Sequence, residues 1–177
     1  MRAAILLVPV LVLVVAVSSV SAATTSNPKD LILRSSDMPS GAKRVKYGAK
    51  TGTIKLPRLV HGKAAYVAYQ FKNGKTRELV SNAAGVVTSG NAHAAFLNLK
   101  TKLGPAAALL KPLRLPKYGD EQVGYQYGAR IAGASFVLVR KGSVIWEVIV
   151  AGAPSFSKAK SKSELEKYAH KAAAHVG

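Results

Sequence analysis

The chain has 177 residues, with 26 lysines and arginines against 8 aspartates and glutamates, a formal net charge of +18 and no cysteine. The length allows one domain around one core, and the lack of cysteine excludes a disulfide framework, so the fold must rest on packing alone. A positive field of this size attracts polyanions and is weakened by salt, although it also keeps an exported protein soluble beside an anionic envelope.

Met1-Arg2, the apolar run Ala3 to Val17 and the following Ser-Ser-Val-Ser-Ala-Ala have the three regions of a secretory signal peptide, with Val20 and Ala22 at the −3 and −1 positions. The apolar run is shorter than the roughly 20 residues that a spanning helix needs. Residues 1–22 are therefore expected to be cleaved, after Ala22 or Ala23, and the mature chain to be secreted. The alternative is an uncleaved N-terminal membrane anchor. No cysteine follows the cleavage site to carry a lipid, so no membrane attachment is expected after processing. The sequence also lacks an Asn-x-Ser/Thr acceptor, which suits a bacterial exporter.

Residues 23–41 read as a tail and a short helical turn, with Asn27 as N-cap, Pro28 at the first helical position, and Pro39 and Gly41 as breakers. A single domain is expected over 42–177. Its first strand lies within Ala42 to Lys50, and an irregular basic loop runs through Lys-Leu-Pro-Arg-Leu-Val-His-Gly. Beyond it, Ala65, Val67, Tyr69 and Phe71 alternate onto one face of a strand. Asn73-Gly74 is the dipeptide of a two-residue type I′ hairpin turn, which predicts Phe71 opposite Thr76 and Tyr69 opposite Glu78. Lys72 and Lys75 would then face each other at a small electrostatic cost. Gly74-Lys75-Thr76 resembles the end of a phosphate loop. However, Tyr69 stands where that loop needs its first glycine, and a strand follows where it needs a helix, so nucleotide binding is excluded.

A helix capped by Ser89 or Asn91 carries the stripe Ala92, Ala95, Phe96, Leu99 and Leu103, and Gly104-Pro105 ends it. A proline-containing connector leads to three strands, at 123–129, 135–141 and 143–151. The last two are apolar on nearly both faces and should be central. Glu147 is the exception, either on an uncovered part of the sheet or paired with a base. Overlapping capping boxes at Ser161-x-x-Glu164 and Ser163-x-x-Glu166 mark the start of a closing helix with the stripe Leu165, Tyr168, Ala169, Ala172, Ala173 and Val176. The sum is an α+β fold: an antiparallel sheet of about six strands in two β-β-β-α halves, with two main helices packed on the sheet, covering one of its faces or both.

Three stretches together carry a resemblance: Leu-Ile-Leu-Arg-Ser-Ser-Asp-Met-Pro-Ser-Gly (31–41), the Gly-Asp-Glu segment followed by an Arg-x-Gly hairpin (118–152), and the closing Lys/Ala-rich helix. The chain resembles small exported bacterial α+β domains related to the extracellular sensor domains of receptor serine/threonine kinases. That resemblance implies a ligand-binding or sensing domain without catalysis and carries over no binding residue. Unlike a receptor, this chain shows no kinase and no following membrane span.

No catalytic constellation stands out. His61, His93, His170 and His175 are the only imidazoles. His170 and His175 are separated by about 140° around a helix, too far for a shared metal. No Gly-x-Ser-x-Gly elbow occurs. Asp120-Glu121 reads as a turn whose aspartate bonds backbone, and a histidine grouped with Asp120 or Glu147 would favour an enzyme. No catalytic, cofactor-binding or metal-ligating residue is expected. Lys43, Arg44, Lys46, Arg58, Lys63, Lys111, Arg114 and Lys117 are the candidate polyanion contacts, with Tyr47, Tyr118, Tyr125 and Tyr127 interleaved, but no RNA- or DNA-binding signature accompanies them. The expected function is a secreted, non-catalytic binding or sensor domain for an envelope or extracellular ligand, acting as a monomer or weak dimer. The alternatives are a cationic binder of an anionic polymer (nucleic acid, teichoic-type polymer or acidic polysaccharide) and an unrecognised hydrolase.

Overall fold

A computed structural model describes residues 27–45, 52–53, 61–89, 91–102, 110–128, 133–153 and 157–177. The signal-peptide assignment, Lys46, Tyr47 and Arg58 lie outside the described residues. The strands are β1 (Lys43–Arg44), β2 (Gly52–Thr53), β3 (His61–Asn73), β4 (Thr76–Ser89), β5 (Lys111–Pro112), β6 (Glu121–Gly128), β7 (Gly133–Lys141) and β8 (Val144–Ala153), and alternating apolar side chains build the long ones. They form one antiparallel sheet in the order β1-β3-β4-β8-β7-β6-β5, with β2 also on β3. Among the described residues, two α-helices, α1 (Ala92–Lys102) and α2 (Lys158–Val176), complete an α+β fold. The expected pattern of six strands and two helices is matched only roughly. The sheet has eight strands, three of them two residues long, and short 3-10 turns at Pro28–Leu31 and Ser35–Asp37 precede it. Among the described residues, no helix is long and apolar enough to cross a membrane.

Glycine sets both long hairpins. Gly74 at φ +60° and Gly142 at φ +56° each take the first central position of a two-residue turn, where both hairpin turn types demand positive φ. This corrects the expected register. Gly74-Lys75 rather than Asn73-Gly74 forms the turn, so Phe71 meets Glu78, Tyr69 meets Val80, and Lys72 meets Arg77. The slip of one turn residue moves each partner by two, which preserves which face every side chain occupies.

The inner face of the sheet carries Val67, Tyr69, Phe71, Val80, Val137, Val139, Trp146, Val148 and Val150. Against it lie Leu165, Tyr168, Ala169 and Ala172 of α2, as the helical stripe predicts, together with Leu31, Leu33 and Met38 of the N-terminal segment. Asn82 pins that segment: its carbonyl accepts from the Leu33 amide at 2.7 Å and its amide donates to the Glu147 carbonyl at 2.7 Å. Asp37 ties the same segment to α2, with His175 Nε2 at 2.9 Å and Lys171 Nζ donating to its main-chain carbonyl.

The expected start of the closing helix is corrected. Helix α2 starts a turn before the capping boxes, with the Ser157 hydroxyl accepting from the Lys160 amide at 3.2 Å. Starting there turns Ser161 inward to Ser135 and brings Gln126 onto the Lys158 carbonyl at 2.7 Å, so buried polar groups choose the start over local propensity. The two helices lie on opposite faces, which the sequence leaves open. Ala95, Phe96 and Leu99 of α1 pack on Leu138 and Ile145, which alternate with the inner-face residues and so point the other way. Strands β7 and β8 are apolar on both sides, and each side demands a cover. Asn91, not Ser89, caps α1 by accepting from the Ala94 amide at 3.1 Å.

Candidate functional site

On the outer face α1 covers one end of the sheet, and a half-buried apolar strip extends from it. Cross-strand rows follow from the register. Tyr66, Ala83, Glu147, Leu138 and Val123 form one row. The next row away from α1 holds Ala68, Ser81, Ile149, Phe136 and Tyr125, and the third holds Gln70, Leu79, Ala151, Ala134 and Tyr127. Tyr66, Leu79, Phe136, Ile149, Tyr125 and Tyr127 are half-buried, and the Tyr125 and Phe136 rings stand 5.4 Å apart. Small residues at Ala68, Ala83 and Ala151 keep the middle of the face low between these larger side chains.

Glu147 stands in this apolar setting on β8, between Ala83 and Leu138. Burial pushes its carboxyl up to about 7, and among the described residues no cation or hydrogen-bond donor offsets that cost. Arg140 is on the same face one row nearer α1, but it is bonded to Asp120 and Glu121. Of the two expected settings for Glu147, pairing with a base is not seen among the described residues, and its half-buried side chain is desolvated rather than on an uncovered part of the sheet.

The raised carboxyl has a stability consequence. The unfolded chain releases this proton near its ordinary value of 4.5, whereas the native protein keeps it until about 7. Stability from this group is therefore full below 4.5 and falls as pH rises through 7. Because the residue is half-buried, the loss is discounted to about 1–2 kcal/mol. Urea unfolding at pH 5 and pH 8 should show this decline in wild type and its absence in Glu147→Gln; parallel profiles in the two proteins would refute it.

A second titratable cluster joins α1 to the sheet. Arg140 bonds Glu121 and, at 3.2 Å, Asp120, while His93 Nδ1 lies 2.5 Å from Glu121. The bond from Arg140 is the main reason the Glu121 carboxyl sits below its ordinary value, with His93 adding to the effect. Asp120 also accepts from the Gly142 amide at 2.8 Å, as expected of a turn aspartate. The histidine thus joins Glu121 rather than Asp120 or Glu147, and the cluster ties the start of α1 to β6 and β7.

The candidate polyanion contacts do not gather into one patch. Lys43 and Arg44 lie on β1, at one edge of the sheet; Lys63 is far along β3, opposite Thr53 of β2 and seven residues from the Gln70 that faces Lys43; Lys111 on β5 and Arg114 and Lys117 after it lie at the opposite edge. The sequence reasoning missed a different cationic group. Lys72 and Arg77 form a directly opposed pair on the outer face, and Lys43, opposite Gln70, projects from the adjoining row. All three are exposed. The missing signal was the hairpin register, since placing the turn at Gly74-Lys75 sets Arg77 rather than Lys75 against Lys72. Compared with models of known protein families, with curated proteins and with solved structures, the chain matches none of them.

Proposed function

We propose that this protein is a non-catalytic binding domain whose site is the open strip of the outer sheet face. One observation carries the reading: Glu147 is held, without a partner among the described residues, at the α1 end of a half-buried apolar surface. An uncompensated polar group on such a surface costs stability, and apolar faces with a few placed polar groups are the usual form of a ligand site. The resemblance to exported sensor domains fits the same reading, as does secretion through residues 1–22. The domain then meets its ligand outside the cell.

A ligand that covers Glu147 desolvates it further and raises its pKa above 7, so binding takes up a proton. Nile red, a neutral apolar probe, should bind the purified protein more tightly at pH 6 than at pH 8. Glu147→Gln should flatten that difference, and Ile149→Lys should abolish binding. Unchanged Nile red fluorescence in Ile149→Lys would place the site elsewhere.

A further inference from the structure

The outer-face strip is bounded differently at its two ends. Toward α1 it is closed by Phe96 and Leu99 over Leu138 and Ile145. At the other end, six residues along β8 from Glu147 to Ala153, the row of Lys72 and Arg77 crosses the same face. Six strand residues span about 20 Å, the length of a fatty-acyl chain. Lys72 and Arg77 oppose each other directly across the β3–β4 pair, and Lys43 adds a third cation beside them. Like charges so placed repel. Among the described residues none of the three has an acidic partner.

Resting on the binding reading above, we infer that the strip takes a single long-chain fatty carboxylate, its chain along Ile149, Phe136 and Leu79 and its head on Lys43, Lys72 and Arg77. Charge complementarity selects the class. An anionic head relieves the repulsion of the cation group, and an apolar tail covers the half-buried side chains between that group and α1. A neutral lipid leaves the three cations unmatched, and a short anion leaves the strip open. Glu147 lies under the far part of the tail, where it is neutral and adds no second charge.

The test is titration calorimetry of the purified protein at pH 6 with palmitate, hexadecanol and acetate, alongside flotation with phosphatidylglycerol vesicles. Palmitate should bind, acetate should not, and the triple variant Lys43→Ser/Lys72→Ser/Arg77→Ser should bind palmitate about tenfold more weakly. Circular dichroism should show that variant folded, because all three side chains are exposed. Equal binding of hexadecanol and palmitate, with no effect of the triple variant, would overturn the carboxylate inference but keep the strip as a site. Failure of palmitate, hexadecanol and Nile red together would overturn the binding reading itself. Flotation with vesicles without binding of dispersed palmitate would replace the single-molecule ligand with a membrane surface.

Discussion

Lys160→Met should lower the unfolding free energy by about 3 kcal/mol, near the lower end of the cost of breaking a buried ion pair. Lys160 Nζ lies 2.7 Å from Glu78 Oε1, and the Glu78 side chain is wholly buried while that of Lys160 is 32% exposed. Glu78 faces Phe71 across the β3–β4 ladder, and the Phe71 ring lies 6.3 Å from that of Tyr168 on α2. Without the lysine, a carboxylate is left among aromatic rings. The partial exposure of Lys160 keeps the cost from the upper end of the range. Adding Glu78→Leu to Lys160→Met should restore most of the loss, because replacing both charges with apolar groups leaves no uncompensated ion. Urea unfolding of the two variants checks this. A single-variant cost below about 1 kcal/mol would mean that water reaches Glu78 as readily as an exposed pair.

Asn82→Leu should cost a similar amount, about 3 kcal/mol, by a different route. Asn82 is buried and spans two elements, accepting from Leu33 and donating to the Glu147 carbonyl. Leucine fills the volume but leaves the Leu33 amide buried without an acceptor, and such a group carries its full desolvation cost. The loss should be local before it is global. Hydrogen exchange at Leu33 should accelerate well beyond that of the β8 amides, with loosening of the segment that contributes Leu31 and Met38 to the core. Equal exchange at Leu33 in variant and wild type would show that apolar contacts alone dock the segment.

Much of the fold was legible because apolar periodicity is a local signal. The alternation from Ala65 to Phe71 and the α2 stripe from Leu165 to Ala172 appear where that pattern puts them, and the dense strands expected at 135–141 and 143–151 appear at Gly133–Lys141 and Val144–Ala153. The errors cluster where partners distant in sequence decide. Ser161 carries the signature of a cap, but Ser135 and Gln126 draw it into the interior. Asn73-Gly74 is the stronger hairpin dipeptide, yet the turn forms one residue later, with Gly74 in the position that needs positive φ. Glu147 could be recognised as an anomaly from its strand, but not its environment, which depends on Ala83 and Leu138 from two other strands.

The amino-acid sequence by itself determined the charge, the absence of cysteine chemistry, the α+β class and the apolar order of the central strands. Each of these follows from composition or from a period of two or 3.6 residues. The tertiary structure decided which sheet face each helix covers, and therefore which face stays partly open. It also decided that Lys43, Lys72 and Arg77 stand together at the end of the strip holding Glu147. Those facts depend on strand order and register, which are set by pairing between residues far apart in the chain.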